Sequence, residues 1–155
     1  LASAFVADLG ESGWTVEVLR GHQTFTRMIA RKGGESIEVD LAVDSPPLFP
    51  VEVVDRISCL APQDMAARKV LAILDRAEGR DFTDLWVLSR EYGRAETISW
   101  AKQLDGGVEE AHVAGAFGDL DRLGDDELPC DPSDRVRVRQ WFETWRAELG
   151  STTSE

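Results

Sequence analysis

The strongest constraint in this chain is a change of hydrophobic period that falls between Ser45 and Pro62. Before it, apolar residues recur every second position. Trp14, Val16 and Val18 alternate with Thr15, Glu17 and Leu19, and Ile37, Val39, Leu41 and Val43 alternate with Glu38, Asp40 and Ala42. A period of two is that of a strand with two unlike faces. After Pro62 the period lengthens to that of a helix and stays there. One chain thus carries a sheet-forming part followed by a helix-forming part, which is the pattern of an α+β fold.

The boundaries follow from local chemistry. Phe5, Val6 and Leu9 form a short helical stripe, ended by Ser12-Gly13. Segments 24–31 and 36–43 read as two strands around Lys32-Gly33-Gly34, a hairpin turn. Ser45-Pro46-Pro47 ends the ladder because proline has no N–H to donate. Segment 51–54 reads as one further brief strand. Pro62 fits a first helical turn, where the missing N–H has no partner to lose. Helices are predicted over 62–78, 81–92, 94–104, 108–117 and 133–149, punctuated by Gly79, Gly93, Gly106 and Gly107. Gly150 is expected to end the last one, with Ser151 to Glu155 as a polar tail. The division expected is 1–58, 59–149 and 150–155.

Composition narrows the class. A chain of 155 residues with 43% apolar and 30% charged side chains can bury one real core. No apolar run approaches the roughly 20 residues that span a bilayer, and no basic-then-apolar leader opens the sequence, so no membrane association and a cytoplasmic location are expected. Cys59 and Cys130 lack metal or redox spacing, and two histidines, His22 and His112, are too few for a histidine-rich metal site. The net charge of −12 argues against a general basic coat for nucleic acid. That charge is uneven, however. Residues 105–134 hold 10 acids and one base, which leaves room for a locally basic site elsewhere.

Three segments could carry chemistry. In the strand 36–43, Glu38 and Asp40 share one face, roughly 6–7 Å apart, and could offer oxygen ligands to Mg²⁺; taken alone, the segment reads first as an ordinary half-buried strand with a solvated outer face. In the helix from Pro62, Lys69 and Arg76 lie two turns apart on one side, nearly opposite Ala67, Val70, Leu71 and Leu74. Two cations in line could hold a polyphosphate, the lysine as a point charge and the arginine as a fork; a water-facing helix surface is the plain alternative. In Gly79-Arg80-Asp81-Phe82-Thr83-Asp84, Gly79 could end one helix in the left-handed conformation, Asp81 could cap the next and Asp84 could sit in its first turn. The functional reading gives Asp84 a part in metal or proton handling and places Arg80 near phosphate.

Together these pieces resemble the AbiEii/AbiGii family of nucleotidyltransferase toxins. The resemblance rests on Asp64 to Lys69, on Asp75-Arg76, and on Arg80-Asp81-Phe82-Thr83-Asp84-Leu85: a lysine, an arginine seven residues later, then an Arg-Asp-x-x-Asp-Leu segment. The strand Ile37 to Leu41 is similar to the family's later acidic strand. This implies a partial polymerase-β-like core, a mixed or antiparallel sheet with helices, followed by a C-terminal helical bundle. It implies transfer of a nucleoside monophosphate from an NTP, with Mg²⁺, to the 3′ end of tRNA, blocking translation, and an antitoxin protein that counters it. By the same resemblance Lys69 and Asp84 would be catalytic, Lys69, Arg76 and Arg80 would bind the nucleotide, and Asp40 would lie near the metal. The family's Gly-rich turn and Ser-x-Asp-x-Asp segment are not among these residues and are expected upstream of Leu1. Two other function classes remain open: a non-catalytic interaction module of the same fold, and a nucleotidyltransferase acting on a protein or small molecule.

Residues outside these motifs have plainer readings. The acidic stretch 119–134 lacks the glycine placement of a calcium loop and reads as a solvated linker. Arg135, Arg137 and Arg139 precede Trp141 and Trp145; the tryptophans read as core, and the arginines as a basic strip for an RNA backbone.

Overall fold

The computed structural model describes residues 2–152, which divide into two compact units at Pro46/Pro47. The N-terminal unit holds helix α1 (Ala2–Glu11) and an antiparallel sheet of β1 (Thr15–Gly21), β2 (Phe25–Lys32) and β3 (Glu35–Ala42), in the order β1-β2-β3. The hairpin between β2 and β3 turns on Gly33 and Gly34, both at positive φ (59° and 88°), where a side chain would be strained. Its register pairs Arg27 with Asp40 and Ile29 with Glu38. One face of β2, bearing Thr26, Met28 and Ala30, is buried. A bulge between Val18 and Arg20 interrupts the strict alternation in β1.

The second unit begins with a small hairpin, β4 (Glu52–Val54) and β5 (Ile57–Cys59). Its two-residue turn places Asp55 and Arg56 at positive φ (50° and 68°). The alternation of 51–54 announced β4. Nothing announced β5, because Asp-Arg carries no glycine at a turn that normally selects one.

Five helices follow: α2 (Pro62–Asp75), α3 (Gly79–Leu88), α4 (Arg94–Leu104), α5 (Glu110–Phe117) and α6 (Arg135–Thr152). After the opening helix α1, the expected α+β order, strands and then helices, is therefore what the chain adopts. Helix α2 is the hub, packed on α3, α4 and α5, while α6 lies against α3 and α5. Ala66, Ala67, Val70 and Ile73 form the buried stripe of α2, so Ile73 replaces the expected Leu71 and Leu74, which are only partly covered. Phe142 sits at the centre of the α3–α5–α6 core, with Phe82 and Phe117 edge-on at ring separations of 5.1 and 4.9 Å. Trp145 is 1% exposed and packs on Phe117, as a core tryptophan should.

Three boundary expectations are corrected. Gly79 does not end α2 in a left-handed conformation. Ala77 takes the positive φ (49°), and Gly79 opens α3. The reason for a glycine there is space: a Cβ would lie 2.0 Å from the Glu127 carbonyl oxygen and 2.8 Å from its carbon. Gly150 does not end α6, which runs through it to Thr152; of the expected tail, residues 153–155 lie outside the described ones. Nor is 119–134 a plain linker. It forms two short 3₁₀ turns, Gly118–Arg122 and Asp125–Glu127, that bury Leu120 and Leu128.

Gly79→Ala should destabilise the protein by about 2 kcal/mol, since backbone must move to admit the methyl group. Gly115→Ala, on the exposed side of α5 with open space at its Cβ, should stabilise by about 0.5–1 kcal/mol. Urea titration of the two variants reads both signs, and a neutral Gly79→Ala would show that the 125–127 turn yields freely.

Candidate active site: a buried aspartate between two cations

The site is assembled by the α2–α3 corner. Asp81 occupies the first turn of α3, where the free N–H groups favour a negative charge. It is not the cap; Glu78 holds that position, without a side-chain bond. Asp81 has no exposed surface (0%), so its charge requires partners. Both come from the other side of the corner. Arg76, immediately after α2, donates from Nε to Oδ2 (2.9 Å) and from Nη2 to Oδ1 (3.1 Å), a two-pronged grip. Lys69, two turns earlier on the same side of α2, donates from Nζ to Oδ1 at 3.1 Å. The seven-residue spacing thus aims two cations at one carboxylate rather than at water, which removes the plain surface reading of this helix.

Lys69 reaches one step further, to Asp84 Oδ2 at 2.6 Å. Asp84 lies in the middle of α3, not in its first turn, and is about half exposed (49%), whereas Lys69 is largely covered (20%). The four residues form one balanced chain of charge, Arg76–Asp81–Lys69–Asp84, with its inner carboxylate closed and its outer one open. Burial pushes the Lys69 pKa down, but hydrogen bonds to Asp84 and Asp81 and their charges outweigh this and leave it raised. Burial likewise pushes Asp81 up, and the hydrogen bonds and charges of Arg76 and Lys69 reverse the effect, holding it below the ordinary carboxylate range. Arg76 is raised chiefly by its hydrogen bonds with Asp81.

The remaining expected residues fall differently. Arg80 turns to Glu78 (2.8 Å) and stays exposed. Together with Arg76 and Gly79 it lines an open cavity of about 510 Å³ at the start of α3, which also contains Glu78 and Glu127. Asp40 belongs to the N-terminal unit. There Arg27 occupies both its oxygens, Nε to Oδ1 at 2.8 Å and Nη2 to Oδ2 at 2.6 Å, and Glu38 lies 3.4 Å from the same guanidinium. Hydrogen bonding to Arg27 lowers the Asp40 pKa. No group of three potential ligands among His, Cys, Asp and Glu comes together among the described residues. With both oxygens of Asp40 already committed, these residues do not by themselves make a magnesium site.

One carboxylate was assigned no role from sequence. Asp64 is fully buried in the first turn of α2 and accepts the backbone N–H groups of Leu48 and Phe49, both at 2.9 Å. It pins the segment that enters the helical unit. The available signal was an acid at the third position of a Pro-started helix, but its partners are backbone groups, which leave no trace in side-chain pattern.

Comparison with known proteins identifies a family. The family model described as "Nucleotidyl transferase AbiEii toxin, Type IV TA system" matches residues 4–154. No curated protein and no solved structure matches the chain.

The ion network has a definite acid signature. Asp81 titrates lower folded than unfolded, where a carboxylate sits at about 3.9. Its stabilising contribution is therefore complete above the unfolded value and lost as pH falls through the folded one. Asp81→Asn should lose about 2–3 kcal/mol at pH 7 by leaving Arg76 and Lys69 without their shared anion. The deficit should shrink below about pH 4. Denaturant melts from pH 7 to pH 3 test this, and a deficit constant across that range would show that Asp81 contributes shape rather than charge.

Proposed function

Because the chain belongs to the AbiEii nucleotidyl transferase toxin family, we propose that the Arg76–Asp81–Lys69–Asp84 network is its nucleotide-transfer site and that the acceptor is the 3′ end of tRNA. The observation that carries the reading is the convergence of Lys69 and Arg76 on a fully buried carboxylate, with Asp84 left open beside them. Membership of a toxin–antitoxin family also implies an antitoxin partner.

In this reading Asp81 is a positioning residue. It holds the two cations rigid, so no ordering is needed when a triphosphate arrives. Asp81 engages Nε and Nη2 of Arg76, and Arg76 lines the cavity shared with Arg80, where its Nη1 binds phosphate oxygens in this reading. Lys69 exchanges its outer partner, Asp84, for a phosphate oxygen. Asp84 is then free to take the proton of the attacking hydroxyl. The hydroxyl oxygen bonds to the α-phosphorus, the bond from that phosphorus to the bridging oxygen breaks, and pyrophosphate leaves with the bonding pair. A magnesium ion, which the resemblance calls for, would need carboxylates beyond Asp40.

The test uses the full natural protein that contains this chain, an α-labelled NTP and tRNA. Lys69→Ala and Asp84→Asn should each lower label transfer roughly a hundredfold or more. Full labelling by both variants would overturn the site. Label entering protein or a small molecule in place of tRNA would overturn the acceptor, and no label with wild-type protein would favour a binding module instead.

A further inference from the structure

A second surface of the helical unit has the chemistry of a nucleic-acid groove. Trp86, Arg90, Arg94, Arg137, Gln140, Trp141 and Thr144 line a cavity of about 430 Å³ between α3, α4 and α6. The wall contains three arginines and no acid, in a molecule whose net charge is −12. Two of these arginines are seated over indole rings. The Arg90 guanidinium carbon is 5.0 Å from the Trp86 ring centre, and that of Arg94 is 4.9 Å from Trp141.

The three cations differ in how fully they are neutralised. Arg94 pairs with Glu148 (2.6 Å) and donates to the Trp141 carbonyl, which fixes it as part of the wall. Arg137 pairs with Asp134 at 3.0 Å but stays exposed. Arg90 is exposed and has no salt bridge among the described residues; its one contact of this kind is the Trp86 ring. A guanidinium held over an indole without a salt bridge keeps its charge and its planar group accessible to solvent. That planar group can stack on a nucleobase while its edge meets a phosphate. Stacking is indifferent to base identity and needs bases that are not already paired.

We infer that this groove binds an unpaired strand of the acceptor RNA through Arg90, Arg137 and the Arg94–Trp141 stack. The inference rests on the proposed RNA acceptor but concerns a different place. Trp86 follows Asp84 by two residues, about 200° around α3, so the groove opens on the opposite side of that helix from the Lys69–Asp84 pair. It therefore anchors RNA away from the reacting end. The basic strip expected of Arg135, Arg137 and Arg139 is corrected accordingly. Arg139 is spent on the carbonyls of Leu120 and Leu123 and on Asp125, whereas Arg137 joins Arg90, from the turn after α3, and Arg94, from α4.

The experiment measures fluorescence anisotropy of an end-labelled unpaired oligoribonucleotide of about 12 nucleotides, titrated with the full natural protein at several salt concentrations. Arg90→Glu combined with Arg137→Glu should weaken binding at least tenfold at 0.1 M salt. It should also reduce the slope of log affinity against log salt by about 1–1.5. Arg90→Lys, which keeps charge without the planar face, should lose part of the affinity and leave the slope nearly unchanged. Lys69→Ala should bind the oligonucleotide as wild type does, so loss of transfer and loss of anchoring separate. Unchanged oligonucleotide binding by the double glutamate variant, with an unaltered thermal melt, would overturn the groove even if tRNA labelling is confirmed. Equal competition by free ATP at the concentration of oligonucleotide nucleotides would overturn it as a strand site.

Discussion

A carboxylate that cannot reach water governs the helical unit. Asp81 lies at the turn between the hub helix α2 and its neighbour α3, and its charge survives there only because Arg76 and Lys69 both reach it. The three-residue connection is short and strained at Ala77, so geometry leaves little freedom in how α3 leaves α2. Within that limit, the ion network selects the one arrangement in which both cations meet the same anion. The apolar stripe of α2 and the aromatic cluster around Phe142 supply the driving force for packing. The buried charge makes the packing specific.

The same arrangement accounts for the character of the candidate site. Inside, the charges are closed on one another; outside, Asp84 and part of Arg76 face solvent, with Glu78 beside the arginine. Charges that are already fixed on one another in this way lose little order when a charged ligand binds. Gly79 belongs to this logic too. The Glu127 carbonyl presses on it so closely that no larger residue fits beside the opening of α3, which keeps the cavity rim at Arg80 and Glu127 in place.

The excess acid of the chain is handled locally. Segment 105–134 is strapped to α6 by Arg139, which binds two carbonyls and Asp125, and by Arg146, which binds Asp121 at 3.1 Å. Two buried leucines, Leu120 and Leu128, complete the strap. Acid tied down in this way leaves the α3–α4–α6 groove basic despite the overall charge. Net charge describes solubility and long-range fields, whereas recognition depends on which charges share a wall.

Much of the architecture was legible in the order of residues, because period is a local property. Alternation placed the β2–β3 hairpin, Pro62 placed the start of α2, and α4 was bounded as expected at Arg94 and Leu104. The spacing of Lys69 and Arg76, with the Arg-Asp-x-x-Asp-Leu segment, identified the cluster that the fold brings together and the family it belongs to. Sequence alone could not say that Asp81 rather than Asp84 is the buried anion, since burial depends on what α2 and α3 present to each other. Nor could it show Asp64 clamping two backbone amides, Arg139 spent on carbonyls, or Arg94 seated over the Trp141 indole of α6. Each of these joins groups distant along the chain, or ends on backbone atoms that all residues share, and only the folded packing brings such partners within a few ångströms.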